Sequence, residues 1–221
     1  MGSPMKKLFL TSAAILMLSG AVQAADIVAP TATNFDWSGF YLGANGGIDW
    51  SKSDWESVGG VNAHPSGNGG LVGGQFGYNV QFQDGLLIGA EAMLDFAGIN
   101  GNGAWSTPGN TANYKSDYLG AARLRLGYGA DRVLFYGTGG AAFTNFQYNT
   151  VPFGTGYSNS SLGWTVGAGV EFAMTDHLIA GVEYDYYNFG THTAQAGQLD
   201  SVPTNVSTTA HAVTARLSYK F

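Results

Sequence analysis

Along most of this chain apolar and polar residues alternate one by one, which is the period of a β-strand with one face in an apolar medium. The pattern recurs in eight segments. In the first, Phe40, Leu42, Ala44, Ile48 and Trp50 share one parity while Tyr41, Asn45 and Asp49 take the other. The second sets Val72 to Phe82 against Gln75, Asn79 and Gln81, and the third sets Leu86 to Phe96 against Glu91, Met93 and Asp95. In the fourth, Tyr118, Ala122, Leu124, Leu126 and Tyr128 oppose Asp117, Arg123 and Arg125. The fifth, Val133 to Phe146, is strand-like with an ambiguous parity, because Phe135 and Phe143 compete with Tyr136 and Phe146. The last three place Trp164 to Met174, Leu178 to Tyr186 and Val213 to Phe221 opposite Glu171, then Glu183 and Asp185, then Arg216 and Lys220.

The connections alternate as well. Gln83-Asp84-Gly85, Gly129 to Arg132 and Thr175-Asp176-His177 read as tight turns, whereas 51–70, 99–115, 147–161 and 192–206 read as long polar loops. The expectation is therefore all-β: an eight-stranded antiparallel transmembrane β-barrel with short periplasmic turns, four long extracellular loops, and both termini on the short-turn side. Closure is required because an open sheet edge leaves unpaired backbone groups in hydrocarbon.

Composition supports lipid over water. Only 11% of the 221 residues are charged, against about 25% in soluble domains. A helical membrane protein is excluded too, since the longest apolar run, Leu8 to Leu18, is well short of the ~20 residues a spanning helix needs. That run follows Met5, Lys6 and Lys7 and precedes Val22-Gln23-Ala24, which together have the form of a secretory signal peptide. The expected organisation is a cloning remnant plus signal peptide over 1–24, an N-terminal periplasmic segment over 25–36, and the barrel over 37–221. Without the first 24 residues, 7 basic and 15 acidic groups leave a net charge of 7 − 15 = −8, which argues against nucleic-acid binding. The chain has no cysteine, so no disulfide holds the fold.

Charge position separates a membrane barrel from a soluble one. Of the 22 charges after residue 24, eleven lie in loops, turns or the N-terminal segment and eleven on the polar parity of strands. None lies on the apolar face, as expected where a lipid-facing Arg or Lys costs about 2–4 kcal/mol at mid-depth. An eight-stranded barrel is just wide enough to be filled by its own side chains. Glu91, Arg123, Arg125, Glu171, Glu183 and Arg216 are thus expected to form a lumen ion-pair network, with Glu91–Arg123 and Glu183–Arg216 as cross-strand pairs. Asp49, Asp95, Asp117 and Asp185 are expected higher up as an extracellular-side acidic lumen, either hydrated structural carboxylates or a narrow cation-favouring vestibule.

Candidate chemistry is sparse. His192 and His211, read as near the outer ends of adjacent strands, are the candidates for a haem iron or metal, against a reading as polar rim residues touching lipopolysaccharide headgroups. Ser207 near His211 is the best nucleophile–base candidate, yet no spacing specifies a third, orienting group. No metal-spaced cluster or phosphate loop occurs, so no enzyme activity, cofactor or metal is expected.

At Phe35-Asp36-Trp37-Ser38-Gly39-Phe40-Tyr41-Leu42-Gly43 the sequence resembles the small alphaproteobacterial outer-membrane β-barrel proteins often labelled "porin family", which carry an outer membrane protein beta-barrel domain. Tyr136-Gly137-Thr138-Gly139-Gly140-Ala141, Gly163 to Glu171 and the terminal Arg216-Leu217-Ser218-Tyr219-Lys220-Phe221 match as well, so the resemblance covers the whole chain after residue 24. It implies the outer membrane of a Gram-negative bacterium as the location. Relatives are described as major structural surface proteins, haemin-binding proteins or immunogenic antigens. The resemblance also marks Leu217, Tyr219 and Phe221 as a barrel-assembly signal read by the insertion machinery. The expected role is structural, in envelope integrity and surface presentation, with outer-membrane lipid and lipopolysaccharide as partners and host or haemin contacts through the extracellular loops. A narrow pore, a haemin-binding protein and, more remotely, a lipid-modifying enzyme are the alternatives.

Overall fold

Each alternating segment forms one long strand. In the computed structural model the described residues are 35–221, apart from 61, 107–108, 152–154 and 200. The expected signal peptide and all but the end of the 25–36 segment lie outside them. The strands are β1 (Gly39–Ser57), β2 (Asn62–Ala63), β3 (Ser66–Gln81), β4 (Leu86–Ala104), β5 (Thr111–Ala130), β6 (Val133–Val151), β7 (Thr155–Ala173), β8 (Leu178–Ala194) and β9 (Thr204–Lys220). The described residues contain no helix. Eight of these strands are long and pair antiparallel with both neighbours, and β1 pairs with β9 from Tyr41↔Lys220 to Ser57↔Thr204, so the sheet closes into a ring. The ninth, β2, is a two-residue addition to the outer edge of β1, too short to have left an alternation signal.

The registers fix the barrel's shape. From Trp50 the paired residues run His211, Tyr186, Val166, Gly139, Leu124, Ala90, Tyr78 and back to Phe40. One circuit therefore descends β1 by 50 − 40 = 10 residues. With about 3.3 Å per residue and about 4.8 Å between eight strands, that stagger tilts the strands by about 40°, as barrel closure demands.

The outward apolar residues form one band. Phe76, Leu94 and Leu124 are 63%, 51% and 68% exposed, which water would penalise and lipid rewards. On β4 the band runs from Leu86 to Phe96; ten steps of about 3.3 Å at this tilt span about 25 Å, the height of a lipid-facing band. Trp50, Trp164, Tyr118, Tyr128, Tyr186 and Tyr219 flank it, as aromatic girdles do. The ambiguous segment, β6, resolves with Leu134, Tyr136, Thr138 and Phe146 inward and Phe135 and Phe143 outward.

The tight turns come where expected. Ala130 pairs with Val133 across a two-residue connection in which Asp131 takes φ +52°. The long loops do not: most of 51–70, 99–115, 147–161 and 192–206 is strand, because β1, β4, β6 and β8 rise far above the apolar band and β3, β5, β7 and β9 begin there. Above the bilayer the outer face meets water, so the apolar set moves to the inner face and the lipid-type alternation ends although the hydrogen-bonded ladder continues. Two register shifts, between Lys115 and Leu119 on β5 and between Asn188 and Thr191 on β8, exchange inward and outward parity along those strands, as bulges do.

Candidate functional site

The lumen is stacked in layers, each built by the inward parity of the strands. The lowest is apolar: Trp37, Leu87, Leu134, Ala173 and Ile179 are buried together with Phe35 at the short-turn end. The chain enters here, and Trp37 is fixed by its backbone N–H donating to Gln81 Oε1 at 2.9 Å and its indole N–H to the Asp131 carbonyl at 3.2 Å. Ser38 Oγ accepts the Gln81 N–H at 3.0 Å. The Trp-Ser-Gly opening of the barrel is thus tied to the short-turn end of the lumen.

Above it lies the ionic layer. Arg123 donates to Glu91 Oε1 from Nε at 2.9 Å and Nη2 at 2.6 Å, to Asp185 Oδ1 from Nη1 at 2.7 Å, and also to Glu183. Arg216 Nη1 donates to Glu183 Oε2 at 2.5 Å, and Nη2 to Glu91. Arg125 Nη2 donates to Glu171 Oε2 at 2.8 Å and Nη1 to the Tyr41 hydroxyl at 2.7 Å, while its guanidinium lies 4.0 Å from the centre of the Tyr136 ring. The Tyr41 hydroxyl in turn donates to Glu91 Oε2 at 2.7 Å, and Tyr136 donates to Glu183 at 2.6 Å. All six ionic side chains anticipated for the network are brought together, on β4, β5, β7, β8 and β9. Neighbouring register places Glu91 opposite Arg123 directly, whereas Glu183 and Arg216 meet diagonally, since Arg216 pairs with Gly181 and Glu183 with Thr214. Gly140 makes room at this level: a Cβ there would lie 2.5 Å from the Arg123 Cα.

Two members of the layer escape a search for charges. Tyr41 falls on the lumen parity of the first segment, which is the signal that marks it, while Tyr136 lies in the segment whose parity the sequence leaves open. Buried charges need both partners and hydrogen bonds to stay ionised, and these two hydroxyls supply acceptors and donors that carboxylates and guanidinia alone lack.

The acidic set is rearranged. Asp185 joins the ionic layer through Arg123 instead of standing above it with the other aspartates. Asp117 does not face the lumen: the β5 bulge turns it outward, where it pairs with Lys115 at 2.6 Å and accepts from Gln147 at 2.9 Å. Asp49 and Asp95 do point inward, 2% and 0% exposed, with neither carboxylate making a well-formed hydrogen bond to the described residues. Being buried, they line no open vestibule. Three arginines against Glu91, Glu171, Glu183, Asp185, Asp49 and Asp95 leave the lumen acidic by 6 − 3 = 3 formal charges.

The uppermost layer was not anticipated. Trp55, Trp105, Tyr114, Phe146, Tyr148, Tyr187 and Phe189 are buried together inside the extracellular part of the barrel. Three of the ring pairs meet edge to face, Trp55–Trp105 at 5.7 Å, Trp55–Tyr148 at 5.6 Å and Phe146–Phe189 at 5.4 Å, while Tyr187 and Phe189 stack at 6.3 Å, geometries that favour aromatic pairs. Trp55 Nε1 donates to Ser53 Oγ at 2.9 Å. The signal was present on β8, where the lumen parity passes from Glu183 and Asp185 to Tyr187 and Phe189.

The histidines do not form a site. His211 pairs with Tyr186 and His192 with Val206, so they stand five residues apart along β9, about 16 Å. That is too far for two imidazoles to share one haem iron or metal. His192 Nε2 lies 3.0 Å from the Phe189 carbonyl oxygen, and the β8 bulge has taken it off the parity that His211 follows. His211 stacks on Trp50, with ring centres 5.5 Å apart, and touches the Tyr184 hydroxyl through Nδ1 at 2.7 Å, within the outer aromatic girdle. Ser207 is four residues from His211 on the same face of one strand, about 13 Å away, so no nucleophile–base contact arises. Among the described residues no group of three or more His, Cys, Asp or Glu is placed to hold a metal ion.

Comparisons with known proteins agree with this architecture. The family model described as "Outer membrane protein beta-barrel domain" matches residues 11–221. The "31 kDa outer-membrane immunogenic protein" of Brucella melitensis is 34% identical, over 98% of this chain and 100% of its own length. The "22 kDa outer membrane protein" of Rhizobium leguminosarum bv. viciae is 32% identical, over 73% of this chain and 68% of its own. Among solved structures, the outer membrane protein OprG from Pseudomonas aeruginosa superimposes with a TM-score of 0.55 at 15% identity, covering 83% of this chain and 96% of that one, a likeness of fold.

Proposed function

Because the chain belongs to the family of the outer membrane protein beta-barrel domain, we propose that it is a sealed structural barrel, contributing to envelope integrity and presenting its extracellular strands at the cell surface. It is an outer-membrane protein, and the relatives that match it carry non-enzymatic names. The layered lumen is the observation that supports a sealed barrel. The side chains of Arg123 and Arg125 are 0% exposed, and an aromatic layer lies above them and the Trp37 layer below. A solute would have to displace all three.

On this reading the surface does the work. Leu217 and Tyr219 face lipid near the lower girdle and Phe221 lies beside them, all exposed, which suits an assembly signal for the insertion machinery. The band between girdles contacts lipid, and the polar strands above it contact lipopolysaccharide. The separation of His192 from His211 removes the geometric support for haemin, and the burial of Asp49 and Asp95 that for a cation vestibule. Proteoliposome swelling tests the reading: vesicles carrying the refolded barrel should swell in small sugars or amino acids no faster than protein-free ones. Swelling that scales with the amount of protein would overturn it.

A further inference from the structure

Above the apolar band the outer wall of β3 to β6 carries an unusual side-chain set. Asn68, Asn100, Asn102, Asn113, Asn145, Gln147 and Asn149 all stand on the outward face, each beyond the last lipid-facing residue of its strand. The registers order them into rows, with Asn68↔Asn100↔Lys115↔Gln147 in one and Asn102↔Asn113↔Asn149 in the next. The same height on β8, β9 and β1 is different, with Thr193, Ser207 and Thr209 beside Lys52, Asp54 and Glu56 and with a carboxamide, Asn205, whose oxygen accepts from the Thr193 hydroxyl at 2.8 Å. Between the rows lies a depression of about 230 Å³ lined by Asn100, Asn102, Asn113, Lys115, Gln147 and Asn149. It is below the volume of drug-sized ligand sites and large enough for a sugar ring. Among the described residues the amides of Asn68, Asn102, Asn113 and Asn149 have no side-chain hydrogen bond inside the protein.

We infer that this carboxamide wall binds the neutral saccharide chain of the lipopolysaccharide standing next to the barrel in the same leaflet. A carboxamide offers two donors and an acceptor side by side, which matches hydroxyls that each donate and accept. Steps of about 4.8 Å between strands and about 6.6 Å along them give a fixed grid that a flexible loop lacks. Charge excludes the phosphorylated parts of the same lipid as the main target: phosphate recognition uses Arg and Lys clusters, and the single cation here, Lys115, is committed to Asp117 at 2.6 Å. A protein partner is disfavoured because the wall lacks the Trp, Tyr and Arg that anchor such interfaces. Position selects the source. The wall faces sideways and continues the lipid-contacting surface upward from Phe96, Tyr118 and Phe143, to the height where neighbouring sugar chains stand.

The test uses the refolded full-length barrel in phospholipid nanodiscs, with side-chain amide resonances followed by NMR. Delipidated, dephosphorylated polysaccharide from a smooth rhizobial lipopolysaccharide should shift the Asn100, Asn102, Asn113 and Asn149 amides saturably and leave Asn205 on the opposite wall unmoved. Discs containing smooth lipopolysaccharide should reproduce those shifts. A triple N102A/N113A/N149A variant should weaken the polysaccharide response by about tenfold or more with its heat-modifiable gel migration unchanged. No shift with either sugar source, equal shifts on both walls, or shifts produced by lipid A alone would overturn the inference. Shifts with free polysaccharide but not with smooth lipopolysaccharide in the disc would overturn the assignment to the barrel's own leaflet.

Discussion

Replacing Arg123 with methionine tests the ionic layer most sharply, since the new side chain keeps an unbranched apolar stem and removes the charged guanidinium. Arg123 contacts Glu91, Glu183 and Asp185, and its side chain and theirs are 0–1% exposed. Glu91 and Glu183 keep Arg216 in the variant, but Asp185 loses its only ion-pair partner among the described residues. Each charge-assisted hydrogen bond contributes roughly 1.5–3 kcal/mol, and removing one side of a buried ion pair costs roughly 3–5 kcal/mol. Water entry and neutralisation of Asp185 offset part of this, so the expected loss is about 4 kcal/mol. Urea unfolding of the refolded barrel in micelles, followed by tryptophan fluorescence, would show it. With a slope of roughly 2 kcal/mol per molar, the midpoint should fall by about 2 M. Adding Asp185→Leu to Arg123→Met should recover about 1 kcal/mol or more, because the stranded carboxylate is then gone. An Arg123→Met midpoint equal to that of the unaltered protein would refute the claim that these ion pairs pack the lumen.

Further outcomes follow from other parts of the molecule. Leu94→Arg places a charge in the middle of the lipid-facing band and should cost about 2–4 kcal/mol in the same unfolding assay in liposomes, whereas Asn102→Arg above the band should cost almost nothing. Deleting Phe221 should lower the fraction of protein inserted in the outer membrane in cells, read by surface labelling, while leaving refolding in detergent intact. Asp131→Gly relieves the positive φ of 52° and should be neutral or stabilising by up to about 1 kcal/mol by the unfolding midpoint, as glycine accepts that conformation freely.

What could be read in advance follows the solvent. Lipid on one side and a crowded lumen on the other impose alternation from Phe40 to Trp50 and from Leu86 to Phe96, and that alternation marks both the strands and the residues that meet inside. Glu91, Arg123, Arg125, Glu171, Glu183 and Arg216 were identifiable because each is a charge on the parity opposite to lipid. Above the membrane the rule inverts, with Trp55 and Phe146 inward and Asn149 outward, so a search for lipid-type alternation reads strand as loop. Asp117 and His192 depart from that parity for a different reason: the bulges on β5 and β8 exchange parity within a strand, and no residue type announces them, although Gly190 with φ +67° marks one. The pairing of Asp185 with Arg123 depends on a reach across the lumen between β5 and β8, strands that share no register.

If the three lumen layers close the barrel, ions have no path through it. Planar-bilayer recording of the purified protein tests it directly. A sealed lumen should give a baseline indistinguishable from that of a protein-free membrane over many insertions, with Arg123→Met, which opens the ionic layer, as the variant most prone to transient leaks. Reproducible cation-selective steps from the unaltered protein that vanish in Asp95→Asn would contradict it.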